Sequence, residues 1–426
     1  MNTAPRLLSW LALGLVALSR ATAAETPFEP WRTSRDPVAK LYQRICQGTL
    51  KMDTSRPQAF LQQMLHELDV PVASQVMVFS KTSLQNALIT PQTPRVIYFS
   101  EEAYIGWCQG GIFELIGVDP VQGPQFYVMT FPYQKGEKVE LLTSDNCFNC
   151  HEGSRTNGVK GMLVRSVYTA EDGQPILSEG SFLSGHESPL SERWGGWYVT
   201  GHHGKETHMG NVIAHETPHG ITLDRARGAN ITSLEALVST TAYLANTSDI
   251  VALMVLEHQC TMHNLITDAG KSTREAMARQ RDLQKAFGEP ITDVPQGSAA
   301  SVIRSHAEKL VKHMLFCEEY PLKNGGVEGG AAFQEAFRRN RAETKEGRSL
   351  KDFQLLTRLF KHRCSYMIYS KSFDALPAQV KTEFYTQLHR VLTDTDPHEA
   401  FPHLSASERA NILEIVLETK ADLPAG

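Results

Sequence analysis

The sequence predicts an α+β chain, an antiparallel-sheet half followed by a helical half. Three observations carry this. Between residues 95 and 131, short runs rich in Val, Ile, Phe and Tyr are separated by turn residues. Beyond about residue 230 the apolar spacing takes on a helical period. The stretch between, 152–229, is glycine-rich and irregular.

Residues 1–23 read as a secretory leader. Arg6 supplies the positive start, 7–19 a short apolar run, and Ala21-Thr22-Ala23 a small-residue cleavage site. The run is too short to span a membrane, and no later segment is long and apolar enough. The mature chain is therefore expected to be exported, periplasmic or secreted, cleaved near Ala23 and without a membrane span. A helix is predicted at 56–67. Arg95–Phe99, 104–108, 112–119 and 125–131 read as strands. Gly110-Gly111, and Asp119-Pro120 with Gly123-Pro124, mark turns between them. Together they make a sheet of four or five strands.

Helices are expected at 249–287, with Gly270 as a breaking point, and at 300–317. A further helix is read at 352–376. It rests on Leu355 with Leu359 and Leu356 with Phe360 at i, i+4, and on Ser349-x-x-Asp352 as its cap. Pro377 ends that helix and begins the next, to about 393. Ser405-x-x-Glu408 is a capping box for a last helix ending near Lys420. The glycine pairs at 325–330 suggest a loop. This organisation divides the mature chain into a β-rich domain, 24–229, and a helical bundle, 230–426.

Hydrophobic content of 41% is that of a globular protein, and a formal net charge of −5 argues against a nucleic-acid partner. Seven cysteines are present. Cys147 and Cys150 form a motif with His151. Cys46, Cys108, Cys260, Cys317 and Cys364 are scattered. An exported compartment permits disulfides, and Cys317 with Cys364, both on predicted helices, is the expected pair.

Cys147-Phe148-Asn149-Cys150-His151 is C-x-x-C-H, the attachment signature of one covalent haem c. Each thiol can add across a haem vinyl group, and His151 can supply the proximal iron ligand. A thioredoxin-like redox motif competes with this reading, but it needs a long helix after Cys147. Residues 152–158 are poor helix formers. A zinc site also competes and needs further ligands, for which His202, His203 and His208 are available.

The sixth iron position is expected from the loop 202–209, with Met209 or His208 as the ligand. That loop is the richest source of donors. Its glycines allow close backbone approach, and Trp194 and Trp197 are near in sequence. Met162 is the next candidate. His258, with Met262 and His263 beside it on a predicted helix, is another. Arg165 and Arg193 are candidate partners for haem propionates, because guanidinium forks bind carboxylates.

The motif residues Cys147, Cys150 and His151 make the chain similar to c-type cytochromes in the broad sense. A sheet leading into C-x-x-C-H resembles PAS-like haem c sensor modules. The spacing from His151 to Met209 is similar to that in small class I cytochromes c. The stretch 193–201 with 208–211, and Cys364-Ser-Tyr-Met-Ile-Tyr-Ser370, resemble a group of secreted bacterial proteins with one C-x-x-C-H each. That likeness implies a monohaem protein.

The function expected from these readings is electron transfer by a periplasmic monohaem c-type cytochrome with a redox partner protein. One alternative is a haem enzyme with an open distal site, using His203 or His208 as acid/base on peroxide or a nitrogen oxide. Another is a gas-binding haem sensor.

Overall fold

A computed structural model describes residue 31 and residues 33–143, 147–394 and 399–422. The leader read at residues 1–23 lies outside the described residues. Two helices open the described chain, α1 (Pro37–Cys46) and α2 (Pro57–Glu67). Asp36 caps α1: Oδ1 accepts from the Ala39 N–H at 2.9 Å, while Oδ2 accepts from the Tyr127 hydroxyl at 2.7 Å. One carboxylate thus starts the helix and pins it to the sheet.

The strands β1 (Val76–Val78), β2 (Arg95–Phe99), β3 (Ala103–Trp107), β4 (Phe113–Asp119), β5 (Gly123–Met129) and β6 (Leu141–Leu142) form an antiparallel meander. The one-turn helix α3 (Phe148–His151) follows. Two short strands, β7 (Arg165–Val167) and β8 (Ser181–Leu183), pair with each other. The strand β9 (Trp197–Tyr198) then returns to the main sheet beside β1, giving the order β6-β5-β4-β3-β2-β1-β9. A hairpin of β10 (Ala214–Thr217) and β11 (Gly220–Leu223) comes last. The four predicted strands are β2 to β5. The seven-stranded sheet is wider than expected because β1, β6 and β9 are only two or three residues long.

Alternation along these strands buries both faces. Val96, Tyr98, Ile105, Trp107, Phe113 and Leu115 pack with α1 and α2 on one side. On the other, Phe99, Tyr104 and Phe126 pack toward the helical half. Register aligns Phe99, Tyr104, Ile116 and Phe126 in one cross-strand row.

The helical half is laid on that second face by α4 (Ile250–Phe287), a 38-residue helix, about 57 Å long at 1.5 Å per residue. Asp249 caps it, accepting from the Val251 and Ala252 N–H groups. Gly270 does not break it. Buried polar side chains stitch α4 to the sheet: Gln259 donates to the Ser100 carbonyl at 2.8 Å, and His263 Nε2 lies 2.9 Å from the Glu101 carbonyl. The β4–β5 turn comes very close. Gly123 has φ +77°, and a Cβ there would sit 2.4 Å from Thr267 Oγ1, so only glycine fits both demands.

Around α4 pack α5 (Gly297–Met314), α6 (Ala331–Arg338), α7 (Lys371–Asp374), α8 (Ala378–Thr393) and α9 (Ala406–Thr419). The last two match the expected bounds, and Ser405 Oγ caps α9 by accepting from the Glu408 N–H, while the Glu408 carboxylate is turned to Arg363 instead of closing the box. The helix read at 352–376 does not form. Phe353 and Phe360 meet in an antiparallel bridge, and Ser349 and Asp352 close a turn on each other instead of capping a helix. Leu359 and Phe360 are buried all the same.

The first helix of the helical half starts at Ile250, in line with the expected 249–287. Leu234, Val238 and Tyr243 belong to the core on the α1–α2 side of the sheet. One hydrophobic core runs continuously from the sheet into α4, α5, α8 and α9. The expected Cys317–Cys364 disulfide is absent: both thiols are free, Cys364 is fully buried, and Cys317 Sγ donates to the Ala400 carbonyl at 3.3 Å. Among the described residues, no helix is long and apolar enough to cross a membrane.

Candidate functional site

The site is built on α3. Its single turn sets Cys147 and Cys150 three residues apart, which places them on one side of a helical turn. Cys150 is exposed, whereas Cys147 packs partly against the main core. The chain turns extended at Glu152, so the long helix of a thioredoxin-like motif is missing.

His151 is held from two directions. Its Nδ1 lies 2.9 Å from the Gly161 carbonyl, and the Gly161 N–H donates back to the His151 carbonyl at 2.8 Å. The first contact makes Nδ1 the protonated nitrogen and leaves the Nε2 lone pair available to a metal. The ring packs on Phe126, at one end of the aromatic row, with centroids 4.5 Å apart. Burial pushes its pKa down, which favours the neutral, ligating form.

Gly161 is in turn fixed by α4. Asn264 brackets the next residue: its Oδ1 accepts from the Met162 N–H at 2.8 Å and its Nδ2 donates to the Met162 carbonyl at 2.6 Å. A Cβ on Gly161 would lie 2.6 Å from Asn264 Oδ1 and 2.8 Å from Thr156 Cβ. A chain of contacts therefore runs from α4 through Met162 and Gly161 to the imidazole.

Cations gather at the motif. Arg165 donates to Ser181 Oγ at 2.7 Å; burial lowers its pKa, as does the charge of Arg155, while Cys150 acts in the opposite sense. Lys160 lies 4.3 Å above the Phe148 ring. Among the described residues none of these three makes a salt bridge, so they stand ready for anionic groups. Arg155 and Lys160 were not singled out from sequence, although both lie within ten residues of His151.

Arg193 is placed elsewhere. It is buried, paired with Glu257 at 3.0 Å through Nη1, and donates from Nε and Nη2 to the Ser188 and His186 carbonyls. Four of its five N–H groups and its charge are thus taken up within the core.

The loop 202–209 is also bound to other parts of the fold. It starts beside the N-terminus of α4, where Thr200 pairs with Ser248 and Ile250, and His202 pairs with Glu328. From Ile250 to Asn264 the helix rises about 21 Å. His203 spends Nδ1 on the Glu206 carbonyl and Nε2 on the Asn230 N–H. His208 is buried against Trp194, and burial pushes its pKa down to about 3. Met209 comes nearest the motif, through Ser166, whose hydroxyl donates to its sulfur at 3.5 Å and which follows Arg165 in β7. That thioether is buried under Gly195. Among the described residues, no hydrogen bond or ring contact joins the loop to His151. Met162 is buried in the core beside α4. His258 hydrogen-bonds to His186 and Ser365, and His263 to Glu101.

Two groups of side chains among the described residues are close enough to share a metal ion, and neither contains Cys147, Cys150 or His151. The zinc reading of the motif thus gains no further ligands. At the other end of the aromatic row, a cleft of about 560 Å³ opens between sheet and helices. Phe99, Phe333, Phe337 and Tyr366 line it, with the Lys351–Glu101 ion pair at its side. Nothing local in the sequence announced this cleft, because its walls come from several segments distant in sequence.

Comparison with protein-family models, with curated proteins and with solved structures finds no match to this chain. The likeness to PAS-like modules therefore rests on the motif residues and the sheet, and that to secreted monohaem proteins on the motif with the stretches 193–201, 208–211 and 364–370.

Proposed function

We propose that the chain is a monohaem c-type protein of electron transfer, with haem attached through Cys147 and Cys150 and His151 as proximal ligand. The orientation of His151 carries this reading: Nδ1–H is tied to the Gly161 carbonyl and Nε2 is left as the donor. A haem iron, when bound, exchanges one electron between its ferric and ferrous states. The donor set fits the group, since two cysteines on one helical turn precede a neutral imidazole, and three cations without a salt bridge among the described residues stand by for two propionates.

The chain's own residues do the tuning. Gly161 strengthens the imidazole as a donor by accepting its proton-bearing nitrogen. Asn264 keeps Gly161 in place. Arg155, Arg165 and Lys160 offset carboxylate charge and favour the reduced form. Exposure of Cys150 puts an attached group at the surface, where a redox partner protein can approach. Export to the periplasm, needed for haem c attachment, rests on the 1–23 leader.

A second reading, gas or peroxide binding at an open distal position, is favoured by one observation. Met209 and His208, the expected distal ligands, are both buried, and among the described residues no hydrogen bond or ring contact joins their loop to His151. Absorption spectra with and without carbon monoxide decide between the two. A low-spin spectrum unaffected by carbon monoxide supports electron transfer through a closed site. A high-spin, carbon-monoxide-binding spectrum overturns it in favour of ligand chemistry.

A further inference from the structure

Three histidines from three elements converge in the interior of the helical half. His186 comes from the turn after β8, His258 from α4 and His313 from the last turn of α5. One ring nitrogen of each lies within 4.8 Å of the other two. We propose that His186, His258 and His313 bind one divalent first-row transition-metal ion of the zinc class, at a site separate from the C-x-x-C-H motif.

The nearest pair is already close to ligand spacing. His186 Nδ1 and His258 Nδ1 are 3.0 Å apart, whereas a tetrahedral ion with bonds of about 2.0–2.1 Å sets its nitrogens about 3.3 Å apart. A small opening of the pair admits the ion. Their outer nitrogens have the partners that metal-ligating histidines use. His186 Nε2 lies 3.2 Å from the Cys317 carbonyl, which makes it the N–H and leaves Nδ1 bare. His258 Nε2 lies 2.7 Å from Ser365 Oγ. When His258 donates there, two lone pairs face each other across the gap, and a cation between them relieves the repulsion.

His313 points to the same ligand. Its Nε2 is buried and makes no hydrogen bond. A metal-free stack can satisfy His186 and His258, with Ser365 donating to His258 and His258 to His186. It leaves that third nitrogen unsatisfied, with the His313 ring stacked on His186 and His258, which pack in turn on Phe316 and Phe360. Burial holds all three imidazoles neutral, the form that ligates. Imidazole donors without thiolates suit zinc and its neighbours rather than magnesium or calcium. Along α4, His258 lies about 9 Å from Asn264, which holds Met162.

The test uses the full chain with its haem attached. Metals other than haem iron are counted by mass spectrometry as purified. The protein is then treated with EDTA and titrated with Zn²⁺ by calorimetry and thermal unfolding. One equivalent of zinc-class metal is expected, either present as purified or taken up with a rise in Tm. His313→Phe should keep the ring stack and the haem spectrum. It should weaken zinc by more than the about 100-fold that loss of an outer-shell partner costs. His219→Gln, an exposed change, should bind as the wild type. The proposal is overturned if the wild type carries no such metal and neither binds Zn²⁺ nor gains stability from it. Unchanged affinity in His313→Phe also overturns it. If that variant does not fold, His186→Gln and the wild-type measurements still decide.

Discussion

Replacing Asn264 by alanine removes both hydrogen bonds to Met162, at 2.8 and 2.6 Å, and leaves two buried main-chain groups without partners. Each orphaned group costs about 1–3 kcal/mol, so the loss should reach about 2–6 kcal/mol. That is a large part of a typical folding free energy of roughly 5–15 kcal/mol. The perturbation also reaches His151, the proposed haem ligand, because Gly161 adjoins Met162 and holds the imidazole. Urea unfolding followed by circular dichroism measures the first effect, and the ferric absorption spectrum with the reduction potential measures the second. Haem should stay covalently attached while the midpoint falls and spectrum or potential shifts. Asn264→Asp should do no better, since a carboxylate cannot donate to the Met162 carbonyl. A loss under about 0.5 kcal/mol with unchanged spectrum and potential would refute the coupling of α4 to His151.

Arg193→Leu should cost about 3–5 kcal/mol, because it strands the Glu257 carboxylate in the core, and the double change with Glu257→Leu should recover most of that; chemical denaturation of the three variants checks this. Arg165→Ala should lower the reduction potential, since a cation near the haem favours the reduced form. Its magnitude is on the order of 1 kcal/mol, or tens of millivolts for a one-electron couple, measured by redox titration. Burial lowers the His263 pKa to about 4, against about 6.5 unfolded. The unfolded state therefore takes up more protons between those values, so stability is full above about pH 6.5 and lost as pH falls toward 4. Stability of the wild type should drop more steeply over this range than that of His263→Gln, by up to about 1.4 kcal/mol per pH unit. Parallel pH profiles of the two would contradict the assignment.

Local periodicity made much of the fold legible. The strands β2 to β5 are long enough to show alternation, and Asp249, Pro377 and Ser405 mark helix starts by their own chemistry. The turn at 352–365 misled because Leu355, Leu359 and Phe360 mimic helical spacing, while the Phe353–Phe360 bridge that decides the outcome is a tertiary contact. Cys147, Cys150 and His151 stand out because the haem attachment proposed for them demands a contiguous motif. The Gly161 carbonyl and Asn264 do not, since a main-chain acceptor has no residue signature and Asn264 is a hundred residues away. Ligand density drew attention to 202–209, but His203 is spent on Asn230 and Glu206, Met209 accepts from Ser166, and His208 is buried against Trp194. His186, His258 and His313 share no spacing, so only folding brings them together.

The account rests most directly on covalent haem at Cys147 and Cys150. The chain, exported from a host that attaches haem c, should keep haem-dependent peroxidase staining on a denaturing gel. Mass spectrometry should find the haem on the peptide spanning 147–151. Cys147→Ser with Cys150→Ser should abolish both. Staining that persists in the double variant, or a wild-type peptide that carries no haem, would contradict the account.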